Sequence, residues 1–316
     1  MTTIDLPSLP STPGGSSISG LPASISAARG ALATATADYL AIPDEALERE
    51  WIWRGGELDV RYGIYRAAET VQAATAELDA VLAGSAGGSG AAGAVRPMAA
   101  RLIAPATITR WALQGRLASL DDAILDRVAK EGEWTVREVL AHTIDGQRSY
   151  GWFTRWWISL PLGPDRPARV TDDVEEASKA DLPGEDAEGA GTLPEIRARL
   201  DHVLDEWGLR LGSTTDEGLA APARWSNTPV DVAHRLGRWG SHIAEHTIQL
   251  DKTLDWLDYR PREVERIVRE LHAAWGRLES RLFPAASTIP EVDAILARVA
   301  TTLTTEARST RAAAEA

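Results

Sequence analysis

The sequence predicts an all-α protein, and three observations support this prediction. Apolar residues recur at spacings of three and four along most of the chain, which is the period of an amphipathic helix. Helix-start signals precede several of these stretches, for example Thr135 followed by Glu138, the pattern of a capping box. No stretch alternates apolar and polar residues for long enough to predict a strand, and no solenoid-type repeat is visible. Antiparallel helices are therefore the expected packing.

The N-terminal part of the chain is predicted to hold two helical stretches between two flexible segments. Residues 1–23 are rich in Ser, Pro, Gly and Thr, which predicts a disordered tail. Helical spacing follows, and a second helical stretch runs from about Glu57 to Gly84. Residues 84–94 (GSAGGSGAAGA) predict a flexible linker, because Gly and Ser at this density favour no single backbone conformation. The predicted N-terminal helical segment is therefore 24–97.

Two helices and a long loop are predicted next. The first helix runs from about Met98 to Leu120, although Pro105 moves its regular part to the residues that follow. The second helix covers 134–158 and begins at the capping box. Residues 161–191 are rich in Pro, Gly and acidic residues, and this composition predicts a long loop.

The second half of the predicted bundle also consists of two helices. Helical spacing covers 194–212 and returns after a loop that ends in RWSNTPVD. Here Thr228 is predicted as the N-cap, Pro229 as the first helical residue and Asp231 as the acidic residue at the third position. This helix is expected to end near Tyr259.

The chain ends in two more predicted helices. One opens at Pro261 and the other at Pro290, because proline fits the first turn of a helix. Together they make up a predicted C-terminal helical extension, residues 259–316.

Composition narrows the function classes. The chain has 316 residues, a formal net charge of −13, 12 Trp and no Cys. The lack of cysteine removes disulfides, thiolate metal ligands and a cysteine nucleophile. The acidic balance argues against a nucleic-acid partner, which needs a positive face. No window approaches the roughly 18 apolar residues of a membrane span, and the N-terminus lacks a secretory signal, so we expect a cytoplasmic protein without a membrane partner.

Two of the six histidines stand at i and i+4 in SHIAEHTIQL. On a helix this spacing places His242 and His246 on one face, about a turn apart, where they could share one metal ion. A third nitrogen must come from another helix, and His142 is the best candidate because it lies near the start of a well-capped amphipathic helix. Three imidazoles leave a coordination position for water or substrate, as in catalytic zinc sites.

The histidines can also be explained without a metal ion. An i, i+4 pair is often a surface pair or a hydrogen-bonded core pair. His234 precedes the pair by eight residues and points roughly 80° away, so it is predicted to orient a loop or pack, with a ligand or supporting role as the alternative. His202 and His272 lie among charged residues and are predicted to face solvent. Glu245 lies directly before the second histidine, off its metal-facing side, and is a poor general base.

The motif W-T-V-R-E-V-L-A-H (residues 134–142), followed downstream by S-H-I-A-E-H-T-I-Q-L (residues 241–250), resembles the DinB-like superfamily. That group includes thiol-dependent S-transferases and the mycothiol-dependent maleylpyruvate isomerase. The resemblance covers roughly 98–258 and implies an up-down-down-up four-helix bundle, and the extra N- and C-terminal helices lie outside it. The helix at 57–83 is an alternative first bundle helix. The ligands implied residue by residue are His142, His242 and His246.

The resemblance also implies a function. It indicates a metalloprotein that binds a divalent ion, zinc in the first place and nickel as the alternative, with a low-molecular-weight thiol as cosubstrate. The ion would hold the thiol as thiolate, and an electrophile would occupy a pocket walled by aromatic side chains. The alternative is a non-catalytic metal- or ligand-binding bundle in stress response; catalytic residues stay unassigned, and a homodimer is one alternative for the oligomeric state. The candidate cofactor-binding residues are Arg148, Trp152 and Trp239, with Trp156, Arg155 and Arg238 as further candidates.

Overall fold

The computed structural model describes residues 20–87, 96–284 and 288–316, and the predicted all-α class is confirmed. In these ranges the β-structure consists of two-stranded antiparallel hairpins. Most of the predicted tail (1–19) and the predicted linker from 88 onwards lie outside the described residues. Among the helices of the described ranges, none has the combined length and apolarity that crossing a membrane requires.

Each hairpin leads directly into a long helix, and the linker prediction is wrong at its start, because the helix after the first hairpin continues through Gly87. The elements in chain order are α1 (Ala23–Leu40), β1 (Glu50–Trp53), β2 (Gly56–Asp59), α2 (Val60–Gly87), α3 (Met98–Leu117), α4 (Val136–Ser159), α5 (Asp172–Asp181), α6 (Glu185–Gly189), α7 (Leu193–Leu211), α8 (Asp216–Leu219), β3 (Pro222–Trp225), β4 (Thr228–Asp231), α9 (Val232–Trp256), α10 (Glu263–Leu282) and α11 (Pro290–Glu315).

The helices α3, α4, α7 and α9 form a bundle, which we call the histidine bundle. Within it α9 packs against α3 and α4, and α7 packs against the same two helices. Their apolar faces share one core, which includes Leu140, Ile144, Trp207 and Ile243. The core stabilises the helices, because burying each large apolar side chain contributes about 1.5–3 kcal/mol.

The helix α4 begins at the predicted capping box. The backbone N–H of Thr135 donates to the Glu138 carboxylate at 2.7 Å, and the Thr135 side chain accepts from the Glu138 backbone N–H. Further along, the side chains of Trp152, Trp156 and Trp157 are all buried. They can be buried on different sides of one helix because α6, α7 and α9 all pack against α4.

The start of α9 differs from the prediction. The predicted N-cap Thr228 is wrong: this residue pairs with Trp225 in the β3–β4 hairpin, whose turn passes through Ser226 at a positive φ of 50°. Asp231 is the N-cap, and its carboxylate accepts from the backbone N–H of His234 at 2.7 Å. The hairpin escaped prediction because each strand has only four residues, too few to show alternation.

The predicted long loop at 161–191 is wrong in part, because it contains α5 and α6. Acidic residues fill the first turn of α5, where their negative charges interact favourably with the positive end of the helix dipole. Val174 and Ser178, four residues apart, form its buried side. The helix α6 packs on α4 and brings Glu185 close to the predicted ligand His142.

The remaining long helices, α1, α2, α10 and α11, form a second bundle with its own apolar core. Here α2 packs against α10 and α11, and α1 packs against the same two helices. The alternative that the helix at 57–83 opens the histidine bundle is therefore excluded, and α3 is its first helix. The predicted N-terminal segment and C-terminal extension are parts of one structure.

The two bundles meet along α3 and α10, next to a buried ionic cluster. Arg29 and Arg110 each contact both Asp205 and Glu279, and Asp201 lies 3.8 Å from Nε of Arg110. Burial alone would raise the pKa of Asp205 and of Glu279, but the arginines hold the pKa of each below its ordinary value. These side chains come from α1, α3, α7 and α10, so the cluster ties both bundles together.

Candidate metal centre

The structure brings His142, His242 and His246 together between α4 and α9. One ring nitrogen from each lies within 4.8 Å of the others, and the Nε2 atoms of His242 and His246 are 3.0 Å apart. His242 and His246 are buried, whereas the His142 side chain is 34% exposed. The group therefore lies at the edge of the core, with one side open to solvent.

A glycine makes the close approach of the two helices possible. A Cβ atom at Gly146 would lie 2.5 Å from Cε1 of His242, which is closer than real Cβ contacts. Gly146 stands four residues after His142, on the same face of α4. The absence of a side chain at this position leaves the space that the His242 ring occupies.

Each ring has a partner on its outer nitrogen. Oε1 of Gln249 lies 2.8 Å from Nδ1 of His246, and Oε1 of Glu185 lies 3.5 Å from Nδ1 of His142. Such partners fix the tautomer that turns Nε2 inward, as in many metal sites. Nε2 of Gln147 lies 3.0 Å from Nδ1 of His242, while Oε1 of the same amide is buried without a partner. When the Gln147 amide is rotated by half a turn, its Oε1 accepts a hydrogen bond from Nδ1–H of His242. The Nε2 atom of that ring then carries no proton and can bind an ion.

The two buried rings are neutral at physiological pH. Burial and the neighbouring imidazoles lower the pKa of His242 to about 3. Burial also lowers the pKa of His246, against a smaller opposing effect of Gln249. The indole of Trp134 stacks on His246, with ring centroids 6.3 Å apart, and its centroid lies 4.9 Å from that of His142. A neutral imidazole is the form that binds a metal ion.

The donor set fits a divalent transition-metal ion. Tetrahedral bonds of about 2.0–2.1 Å place ligand nitrogens roughly 3.3 Å apart, and the His242–His246 separation is 3.0 Å. Glu245 does not join the group, since its carboxylate pairs with Arg238 at 2.5 Å. Three imidazoles without a protein carboxylate or thiolate could hold an ion and leave a coordination position free.

The other histidines lie elsewhere. His234 is exposed, and its ring centroid is 6.2 Å from that of Trp225. His202 is part exposed and lies 3.7 Å from Glu206. The prediction that His272 faces solvent is wrong: it is buried between the bundles, with Nε2 3.0 Å from Thr36. The charged neighbours of His272 in the sequence suggested an exposed position. They did not indicate its burial, because they lie on a different side of α10.

A cavity of about 580 Å³ opens beside the three histidines. His142 and His242 form one end of its wall, and α4 and the β3–β4 hairpin form most of the remainder. The lining combines aromatic rings with charged groups. Its other members include Asp145, Gly146, Ser149, Tyr150, Phe153, Arg169, Asp172, Glu175, Arg224, Trp225, Asn227 and Arg235.

The predicted cofactor-binding residues do not line this cavity. Arg148 is buried against Glu188, and the Trp152 indole N–H donates to Asp181 at 3.1 Å. Trp239 is fully buried in the core. Around α4, the residues four, eight and eleven positions after His142 are offset from it by about 40°, 80° and 20° in one direction, whereas positions six and ten are offset by about 120° and 80° in the other. The cavity lies on the first of these sides, so Tyr150 and Phe153 line it and Arg148 and Trp152 do not.

Several site residues had no sequence signal strong enough to single them out. Gln147 and Gln249 are common surface residue types, and Gly146 is one of 26 glycines. Arg235 lies one turn into a helix whose start was predicted incorrectly. Only helical spacing from the three histidines, applied to both helices at once, could have indicated Gly146 and Gln249.

A helical bundle with three convergent imidazoles on its second and fourth helices defines a class of candidate metal-binding proteins. A family model of the DinB superfamily matches residues 106–250, and this part of the chain belongs to that superfamily. The matched segment includes all three histidines. No curated protein and no solved structure matches the chain.

Proposed function

We propose that the chain is a divalent-metal-dependent enzyme that transfers a low-molecular-weight thiol to a small-molecule electrophile, or isomerises the electrophile with the help of that thiol. One observation carries the proposal: the imidazoles of His142, His242 and His246 converge, and two of them, His142 and His242, line a cavity of about 580 Å³. The chain itself has no cysteine, so the sulfur comes from a cosubstrate.

Neutral imidazoles bind both zinc and nickel. Zinc is our first choice and nickel the alternative, because three histidines with a free coordination position are typical of catalytic zinc sites. Bound zinc supplies a positive charge that lowers the pKa of a coordinating thiol. The chain's own part is to hold the imidazoles neutral and oriented. Gln249 fixes the ring of His246, and burial keeps His242 unprotonated.

The cavity wall offers aromatic and ionisable side chains that can contact the electrophile. Tyr150 and Phe153 on α4 and Trp225 on β3 offer aromatic surface, and Tyr150 also contacts the His242 ring edge-on, with centroids 5.1 Å apart. Asp145 lines the same cavity, and burial, together with Glu185 and Glu188, raises its pKa. A carboxyl group with a raised pKa is suited to carry a proton. Asp145 is therefore our candidate for the proton carrier.

The chemical step balances without a redox partner. In a transfer, the sulfur forms a bond to an electrophilic carbon while the bond from that carbon to the leaving group breaks, and the thiol proton leaves with that group or to solvent. In an isomerisation, the sulfur adds to the substrate and is later expelled, so the thiol is regenerated. The alternative function, a non-catalytic metal- or ligand-binding bundle in stress response, needs no such step.

The test compares His246→Ala with His234→Ala, an exposed histidine on the same helix. We expect purified wild-type protein and His234→Ala to hold about one equivalent of metal and to catalyse transfer of a small thiol to a reactive electrophile. His246→Ala should lose both properties because the site loses a ligand. Metal binding without turnover in a broad thiol and electrophile screen would favour the non-catalytic alternative, and turnover by metal-free protein would contradict the proposal.

A further inference from the structure

Arg235 is a buried cation on the wall of the cavity. Its side chain is only 5% exposed, whereas Arg224 is half-buried and Arg169 is exposed. Arg235 stands on α9, seven residues before His242, which is almost two full turns. The two Cα atoms therefore lie about 10 Å apart along the same side of the helix.

No carboxylate pairs with Arg235 within the part of the chain that the structure describes. Its Nε donates to Oγ1 of Thr154 at 3.0 Å, and Nη1 donates to the backbone carbonyl of Arg224. A guanidinium has five N–H donors, so three remain without a protein acceptor in the described residues. Burial lowers the pKa of Arg235 to about 10, which still leaves it charged at neutral pH.

This arrangement differs from that of the other buried arginines. Arg110 pairs with Asp201, Asp205 and Glu279, and Arg148 is bound to Glu188. An unpaired buried charge is costly, so proteins normally pair it. An unpaired guanidinium that borders a cavity is thus prepared for an anion that enters from outside.

The acidic residues of the cavity do not serve as that anion. Asp172 and Glu175 are exposed and lie at the rim, where water screens their charge. Asp145 is half-buried on α4, three residues after His142. None of the three forms an ion pair with Arg235 in the described structure. The guanidinium of Arg235 therefore keeps donors that no carboxylate of the cavity wall occupies in the described residues.

We propose that Arg235 forms a carboxylate-binding subsite, which selects a thiol or an electrophile that carries a carboxylate several bonds from its reacting atom. The free donors on Nη1 and Nη2 form a fork that matches the two oxygens of a carboxylate. The separation of about 10 Å between the Cα atoms of Arg235 and His242 sets the scale of the ligand. The inference rests on the proposed function for its reacting end, but the binding of the carboxylate needs neither metal nor thiol.

The test uses metal-free protein and calorimetry with two probes, adipate and its neutral diamide. We expect wild-type protein to bind adipate about tenfold or more tightly than the diamide, since a charge-assisted bidentate pair is among the stronger polar contacts. Arg235→Gln should remove this preference. Arg197→Gln is the matched control, because Arg197 also has no ion pair among the described residues, is bound to Gln114 at 2.7 Å and lies outside the cavity lining.

The outcomes separate the subsite from the proposed function. An equal affinity for both probes, or a preference that survives in Arg235→Gln, overturns the subsite even if the protein binds zinc. A preference that depends on Arg235 supports the subsite even if no metal binds. Should Arg235→Gln fail to fold, Arg235→Lys keeps the charge without the fork, and an undiminished preference in that variant contradicts the proposed geometry.

A second pair of probes identifies which substrate carries the carboxylate. In zinc-loaded protein, mercaptohexanoate is compared with mercaptohexanol. A preference for mercaptohexanoate that Arg235→Gln removes assigns the carboxylate to the thiol. An Arg235-dependent preference for adipate without any preference between the two thiols assigns it to the electrophile.

Discussion

The two hairpin–helix units of the chain have the same backbone arrangement but carry different side chains at equivalent positions. In each, four residues pair with four in the same register, and the last strand runs straight into a long helix. Trp53 and Trp225 occupy equivalent positions at the hairpin turns, and an arginine thirteen residues further on packs over each indole, Arg66 at 4.6 Å and Arg238 at 5.3 Å. Only the second unit carries the candidate centre.

The difference lies in a few inward positions. His242 and His246 stand eleven and fifteen residues after the cap Asp231, and the residues at the same distances after Asp59 are Thr70 and Ala74. The partner helices also correspond: α9 packs against α3 and α4, with α7 packed on those two, as α2 packs against α10 and α11, with α1 packed on those two. The bundle of α1, α2, α10 and α11 thus forms the same helix arrangement without the histidines, so the candidate centre is an addition to this scaffold.

The sequence alone predicted the helical class, the capping box of α4 and the three histidines that converge. These features rest on local patterns, such as helical spacing and capping, which do not depend on the rest of the fold. The second bundle was not predicted, because its helices come from both ends of the chain and only tertiary packing joins them. The cavity was not predicted either, since the positions of Arg235 and Trp225 depend on where a hairpin of two four-residue strands begins and ends.

The largest expected effect concerns the junction between the two bundles. Replacing Arg110 by Met leaves Asp205 and Glu279 with Arg29 alone, and we expect a loss of about 3–5 kcal/mol in the free energy of unfolding. Urea denaturation measures it. Arg298→Met is the control, because Arg298 forms an exposed pair with Glu77 whose loss should cost less than about 1 kcal/mol. Equal losses would mean that the cluster does not hold the bundles together.

The next prediction concerns the space around the candidate centre. Gly146→Ala puts a methyl group where the His242 ring lies, so we expect a loss of about 1–3 kcal/mol in stability and weaker metal binding. Gly30→Ala on α1 is the matched substitution in the second bundle, where a Cβ meets nothing within 4 Å. It should stabilise the protein by about 0.5–1 kcal/mol. Similar signs for both variants would contradict the assigned packing.

The third prediction uses the buried histidine between the bundles. Burial lowers the pKa of His272 from 6.5 to about 3. Between these values the unfolded chain binds a proton that the native protein does not, so stability falls as pH drops below about 6.5. At pH 5 this histidine should cost about 2 kcal/mol relative to pH 7. Urea titrations of metal-free wild-type protein and His272→Gln should differ in their pH dependence by this amount, and parallel curves would refute the assignment.

The smallest expected effects come from the equivalent helix caps. Asp59 accepts from the backbone N–H of Tyr62 at 2.9 Å, and Asp231 accepts from that of His234 at 2.7 Å. Each Asp→Ala substitution should therefore cost about 1 kcal/mol of stability. Their consequences for binding should differ, because Arg235 lies in the first turns of α9, four residues after its cap, whereas the histidines lie two further turns along. Asp231→Ala should weaken adipate binding and leave metal content unchanged, and Asp59→Ala should change neither. If both variants alter adipate binding equally, then the loss reflects general destabilisation, and the cap of α9 has no particular part in positioning Arg235.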